Sequence, residues 1–239
     1  MKNNHLSIVI PCYRELNRLP NYIESLISHF QFHTNIDFII VDDGSPKNEF
    51  HQLKERLELS LSNSKLQLFH YEINFGKGGA ISYGIAKSKG NYLGFIDADG
   101  ATPAYEVERI WNYINNNQEL DLVIGSRIPM FGRKVSKSFY RHIANRMFSY
   151  YFNQIFKIQI YDPQCGCKIF KKSNYEIIKS KITDLRWLWD TQLIVLFYRN
   201  QFKISEFPID WNQIPESKFS FFKDSLAVLY SVWKYRNIK

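Results

Sequence analysis

Up to about residue 126, short apolar runs alternate with stretches whose apolar residues recur every three to four positions. Residues 6–10 form a mostly apolar run, predicted as a strand that Pro11 ends. Leu19, Tyr22, Ile23, Leu26, Ile27 and Phe30 follow at helical spacing. The same alternation predicts strands over 38–41, 66–71, 92–96 and 120–124, with helices over 48–61, 78–88 and 103–116 between them. Strands alternating with helices of this length predict an α/β fold: a mainly parallel central sheet with helices on both faces.

Beyond residue 127 the pattern is less regular. A helix over 137–156 is expected to carry Phe139, Ile143, Met147, Tyr151 and Ile155 on one face, with Lys137, Arg141 and Asn145 on another. Residues 190–200 and 222–236 also read as helices. No low-complexity linker or internal repeat interrupts the chain, so residues 1–239 read as one domain.

Ligands in such sheets bind beyond the carboxyl ends of the strands. The unusual polar residues fall there: 11–15 after the first strand, 42–45 after the second, 74–79 after the third and 97–99 after the fourth. Asp97-Ala98-Asp99 sets two carboxylates two residues apart, and Gly100 eases the turn that aims both at one point. Oxygen ligands of this kind suit Mg²⁺ or Mn²⁺, which complete their shells with water and phosphate oxygens. Asp42 and Asp43 are adjacent acids, costly to ionise together unless a cation or ligand uses them. Asn74–Ala80 is glycine-rich but fits neither common phosphate loop: Gly78 stands where Walker A needs Ser or Thr, and Ile81 where the dinucleotide fingerprint needs glycine. Its glycines still permit close approach of a ligand to a helix N-terminus, where Lys77 adds charge.

Charge sharpens the expected partner. The net charge is +8. Arg127, Arg133, Lys134, Lys137, Arg141, Arg146 and Lys157 lie in a stretch with no acidic residue, interleaved with aromatics. This predicts an anionic partner and fits an amphipathic helix at a membrane surface. Cys12, Cys165 and Cys167 form no disulfide framework, which points to a reducing compartment, and one Cys-x-Cys pair is too little for zinc. No apolar run approaches the roughly 20 residues of a spanning helix, and the N-terminus leads straight into a strand. The expected location is cytoplasmic, peripheral on the cytoplasmic face of a membrane.

Pro11-Cys-Tyr-Arg-Glu15, Val41-Asp-Asp-Gly-Ser45, Asn74-Phe-Gly-Lys-Gly-Gly-Ala80, Asp97-Ala-Asp99 and Gly125-Ser-Arg127 resemble, in order and spacing, family 2 glycosyltransferases of the GT-A fold. Asp162-Pro-Gln-Cys-Gly-Cys-Lys168, Trp189-Asp190 and Trp211-Asn-Gln-Ile-Pro-Glu-Ser-Lys218 look like the dolichyl-phosphate glucosyltransferase branch. In that branch Cys167 replaces a usual Phe and Gln192 a usual Glu. The resemblance implies a nucleotide-sugar half over about 1–127 and an acceptor half over about 128–239. It implies an inverting transfer of a hexose from a UDP-glucose or GDP-mannose type donor to a polyprenyl or dolichyl lipid phosphate. Asp97 and Asp99 would hold the metal; Pro11, Tyr13, Glu15, Asp42, Asp43, Lys77, Asp97 and Ala98 would bind the nucleotide sugar. Arg127, Arg141, Arg146 and Lys168 are candidates for the acceptor phosphate. Arg127 would also assist the leaving diphosphate, and Asp190 would serve as a general base or a helix cap.

Three rivals compete: transfer to a saccharide hydroxyl, a nucleotidyltransferase, and a nucleic-acid-binding module. The first strand lacks the glycine-rich pyrophosphate loop of nucleotidyltransferases. No helix-turn-helix, zinc finger or RRM signature supports nucleic acid, so none is expected as a partner.

Overall fold

The computed structural model describes residues 4–136, 139–214 and 232–237. Lys137, the side chain of Arg141 and most of the helix expected over 222–236 lie outside the described residues.

The strands and helices run β1 (Leu6–Cys12), α1 (Leu19–His29), β2 (Ile36–Asp43), α2 (Lys47–Arg56), α3 (Glu58–Leu61), β3 (Leu66–Tyr71), α4 (Lys77–Lys87), β4 (Tyr92–Ile96), α5 (Ala104–Asn116) and β5 (Leu122–Ser126). They continue with β6 (Val135–Ser136), α6 (Phe139–Phe156), β7 (Cys167–Lys171), α7 (Lys172–Ile178), α8 (Trp189–Arg199), β8 (Ile204–Pro208) and β9 (Trp211–Asn212). Seven strands form one sheet in the order β3-β2-β1-β4-β7-β5-β8, and β6 pairs with β9. All pairs in the large sheet are parallel except those of β7, which is antiparallel to β4 and β5. Strands β1, β2, β4 and β5 are buried along their whole length, as expected of a parallel sheet covered on both faces. Helix α4 packs on β1 and β2 through Gly84, where a Cβ would stand 2.5 Å from Val9 Cγ1.

Three expectations change. Pro11 does not end β1, because it pairs in register with Val41. Pairing with β4 stops at Val9, so no ladder bond is required of the proline on that side. The helix expected over 48–61 breaks at Leu57 into α2 and α3. On α6 the buried stripe is Ala144, Phe148, Phe152 and Phe156, one position on from the expected apolar face, whose Ile143 and Met147 are exposed beside Tyr140 and Tyr150. Aromatics dense on both faces hide which one the core takes.

Candidate active site

Asp42 and Asp43 end β2 and turn to different hydrogen-bond partners, while the charge of Asp42 still adds to burial in raising the Asp43 carboxyl. The Asp42 side chain, fully buried, accepts from Ser45 N at 3.0 Å and Ser45 Oγ at 2.7 Å, and His70 Nδ1 lies 2.9 Å from Oδ1. Asp43 turns to the next loop: its carboxylate accepts from Tyr71 Oη at 2.7 Å, Phe75 N at 2.9 Å and Gly76 N at 2.8 Å. Burial raises the Asp43 carboxyl above its ordinary range, against the pull of these three donors. Both acids thus shape loops. Between them and the end of β1 opens a cleft of about 300 Å³, lined by Tyr13, Arg14, Ser45, Lys47, His70 and Glu72 among others. Arg14 N donates to Ser45 Oγ at 2.8 Å, and Lys47 and Glu72 pair at 2.8 Å across the cleft lining. Pro11 lies in the adjacent buried end of β1.

The acid pair follows β4. Asp97 N donates to Gly166 O at 2.9 Å, and the Asp97 carboxylate meets Lys77 Nζ at 2.6 Å. Ala98 is buried between the acids, and Asp99 accepts from Ala101 N at 3.0 Å across a turn in which Gly100 has φ +76°. Burial, then the charge of Asp97, raises the Asp99 carboxyl, while Arg18 and Lys77 pull it down. Arg18 Nε donates to Glu15 Oε2 at 2.8 Å, which ties Glu15 of the first motif to the start of α1. Burial would lower the Lys77 ammonium, but Asp97, Asp190 and Asp99 outweigh it and raise it. Residues from three strand ends therefore meet: Asp43 on Gly76, and Lys77 on Asp97, with Asp99 two residues on.

The glycine-rich start of α4 serves packing. Gly78 N and Gly79 N donate to the carbonyls of Arg186 and Leu185 at 3.2 and 2.8 Å. A Cβ on Gly78 would stand 2.4 Å from Trp189 Cβ. The ligand that approaches this helix terminus so closely is the chain's own 183–188 segment. Gln192 fixes the other end of that segment, its Oε1 accepting from Thr183 N and Asp184 N at 2.9 Å each.

The acceptor-side candidates are placed differently from expectation. Lys168, expected to face a phosphate, is fully buried; its Nζ donates to Cys165 O at 2.7 Å and pairs with Asp190 at 3.2 Å. Asp190 lies in the first turn of α8 without capping it by a side-chain bond. Arg127 is buried, with Nε and Nη2 donating to Asp162 at 2.6 and 2.7 Å, and that acid holds its guanidinium firmly charged against the cost of burial. Arg146 donates to Tyr161 O at 2.6 Å and stacks over the Tyr161 ring at 3.8 Å. Arg133 pairs with Glu106 and Asp210. Arg127 and Arg133 of the basic stretch are therefore turned toward acids that the linear pattern places far away, and Arg146 toward a backbone carbonyl.

Two contributors escaped the sequence reading. Gly166, visible only as the middle of Cys-Gly-Cys, borders Asp97; the charge of Arg18, a single helix-start arginine, pulls the Asp99 carboxyl down. Asp97 and Asp99 fit a hard divalent ion that draws most of its shell from a diphosphate. Among the described residues no group of three His, Cys, Asp or Glu is placed to hold a metal alone.

Residues 7–178 match the family described as Glycosyl transferase family 2. The chain is 29% identical over 244 residues to dolichyl-phosphate beta-glucosyltransferase of Dictyostelium discoideum, covering 98% of this chain and 74% of that protein. It is 29% identical to the human protein of the same name, covering 89% and 69%. Among solved structures, glucosyl-3-phosphoglycerate synthase from Mycobacterium tuberculosis, in complex with Mn²⁺, UDP and phosphoglyceric acid, superposes with a TM-score of 0.66 at 13% identity, covering 98% of this chain and 77% of that one. S. aureus TarS 1–349 superposes with a TM-score of 0.57 at 18% identity, covering 95% and 65%. These likenesses fix the fold as GT-A, and the span of the family match shows that the chain belongs to glycosyl transferase family 2.

Proposed function

We propose that the chain transfers a hexose, glucose from UDP-glucose first among candidates, to a polyprenyl- or dolichyl-type lipid phosphate in one inverting displacement. An acceptor phosphate oxygen bonds to the anomeric carbon as the bond to the donor diphosphate breaks, and the nucleoside diphosphate leaves. The observation that carries this reading is the contact of Lys77 with Asp97, which joins the acid pair to the glycine-rich turn whose Gly76 N is held by Asp43. The relatives' names supply the acceptor class.

In this reading Tyr13 receives the base, while Pro11, Glu15, Asp42 and Asp43 fix the loops around it. Asp97 and Asp99 hold Mg²⁺ or Mn²⁺, which stabilises negative charge on the leaving diphosphate. Lys77 adds a second positive charge there. A phosphate acceptor is already ionised near neutral pH and needs no strong base. The pairing of Asp190 with buried Lys168 fits that economy, and gives both residues a positioning role. Arg127 fixes the loop that ends at Asp162 and Arg146 holds Tyr161, which leaves Arg141 as the candidate to meet the acceptor. The exposed face of α6, with Tyr140, Met147 and Tyr150, together with Phe131, supports peripheral contact with the membrane that carries the lipid. Among the described residues no helix is long and apolar enough to cross it.

The test offers purified protein a panel of labelled nucleotide sugars with Mn²⁺ and a polyprenyl phosphate. Label in the organic phase with release of nucleoside diphosphate is expected. Label found only on added saccharides, or release of inorganic diphosphate, contradicts the reading.

A further inference from the structure

We infer that Lys77 competes with the divalent cation for Asp97, so that metal and donor diphosphate are admitted together; this rests on the nucleotide-sugar reading of the site. Asp97 is enclosed on two sides. Its Oδ2 lies against Gly166, where a Cβ would stand 1.7 Å away, and its Oδ1 meets Lys77 Nζ at 2.6 Å. The Asp97 side chain is otherwise open, at 42% exposed, so a cation arriving there either displaces the ammonium or sits at a separation where two positive charges repel strongly.

The backbone of Lys77 cannot withdraw to relieve this. Gly76 is pressed against Leu185 O and Arg186 Cγ, each 2.8 Å from a notional Cβ, and Gly78 against Trp189. Relief comes only from rotation of the lysine's four-carbon stem. The ammonium is partly exposed, at 19% for the side chain, whereas Lys168 on the same Phe95 ring is sealed at 0%. An arriving diphosphate offers the ammonium new anionic oxygens and frees Asp97 for the metal in one event. Metal and nucleotide then reinforce each other's binding by the same factor, because coupling between ligands is reciprocal.

The test measures Mn²⁺ affinity by electron paramagnetic resonance, with and without UDP, for wild type, Lys77→Met, Lys77→Gln and Lys77→Arg, with circular dichroism checking the fold. Without UDP, Met and Gln are expected to bind Mn²⁺ about tenfold tighter than wild type, and Arg to stay near wild type. The factor by which UDP tightens Mn²⁺ should fall about tenfold in Met and Gln. Folded Met and Gln variants whose Mn²⁺ affinity without UDP is unchanged or weaker overturn the competition while leaving the functional reading intact. A wild type that binds no Mn²⁺ even with UDP overturns both.

Discussion

The Asp97 carboxylate rests on Gly166, with Oδ2 1.7 Å and Cγ 2.2 Å from where a Cβ would be. β7 begins at the next residue, and its antiparallel course beside β4 brings the Cys165-Gly166-Cys167 turn under the acid pair. Any side chain at 166 must displace the carboxylate or the turn. Gly166→Ala is therefore expected to weaken Mn²⁺-dependent UDP binding at least tenfold, read by calorimetry, while the far-UV spectrum stays unchanged. Wild-type affinity in this variant would show that the contact is dispensable.

Asp99 has its carboxyl raised, by burial first and by Asp97 second. A raised acid binds its proton more tightly in the folded state, so folding is favoured at low pH, and that advantage is lost as pH rises through the folded pKa. Asp99→Asn should accordingly melt a few degrees higher than wild type at pH 8. The difference should vanish below the ordinary carboxylate range, where both side chains are neutral. Thermal melts across pH check this, and equal melting temperatures at pH 8 would contradict it. The same variant trades function for that stability.

Arg127 and Asp162 form a buried two-bond pair. Removing one partner leaves the other charge buried without its mate, typically at a cost of about 3–5 kcal/mol. Arg127→Ala should unfold at clearly lower denaturant, and Asp162→Asn should do likewise. If Arg127→Ala keeps its stability and loses only turnover, the arginine works on substrate.

The order of elements through β5 was legible because each buried strand carries a short, mostly apolar run, and the chemistry sits where those runs stop. Asp97, Asp99, Asp43 and Lys77 could be picked out for that reason. β7 was not legible: Cys167-Lys-Ile-Phe-Lys171 is short and carries two lysines, and Lys168 is buried only because Asp190 comes from a helix far along the chain. The inward turn of Arg127, Arg133 and Arg146 was hidden for the same reason, since Asp162, Asp210 and Tyr161 are partners supplied by tertiary structure. The glycines at 76, 78 and 79 pointed correctly to a close approach, and composition alone does not say whether a phosphate or a peptide carbonyl makes it.

Gln192 holds two backbone amides of the 183–188 segment, and that segment caps α4 through Leu185 and Arg186. Gln192→Leu leaves both amides without their protein acceptor, and because Thr183 is exposed and Asp184 half-buried, water takes its place and the segment loosens. The expected result is faster hydrogen exchange at Thr183 and Asp184 and a higher KM for the donor. Gln192→Glu keeps the acceptor oxygens and should retain most activity. A Leu variant with unchanged exchange at both amides would contradict the role.

The exposed residues of α6 make a direct prediction for membranes. Met147→Glu combined with Tyr150→Glu should reduce flotation with vesicles several-fold, without changing turnover on a short, water-soluble polyprenyl phosphate. Equal flotation of variant and wild type would remove α6 from the contact.

Transfer of labelled glucose from UDP-glucose to polyprenyl phosphate, with Mn²⁺ present, compares wild type with Asp97→Asn and Asp99→Asn most directly. The account predicts organic-phase label from wild type and at least a hundredfold less from either folded variant. Near-equal transfer by either variant would contradict the assignment of the acid pair to the reaction.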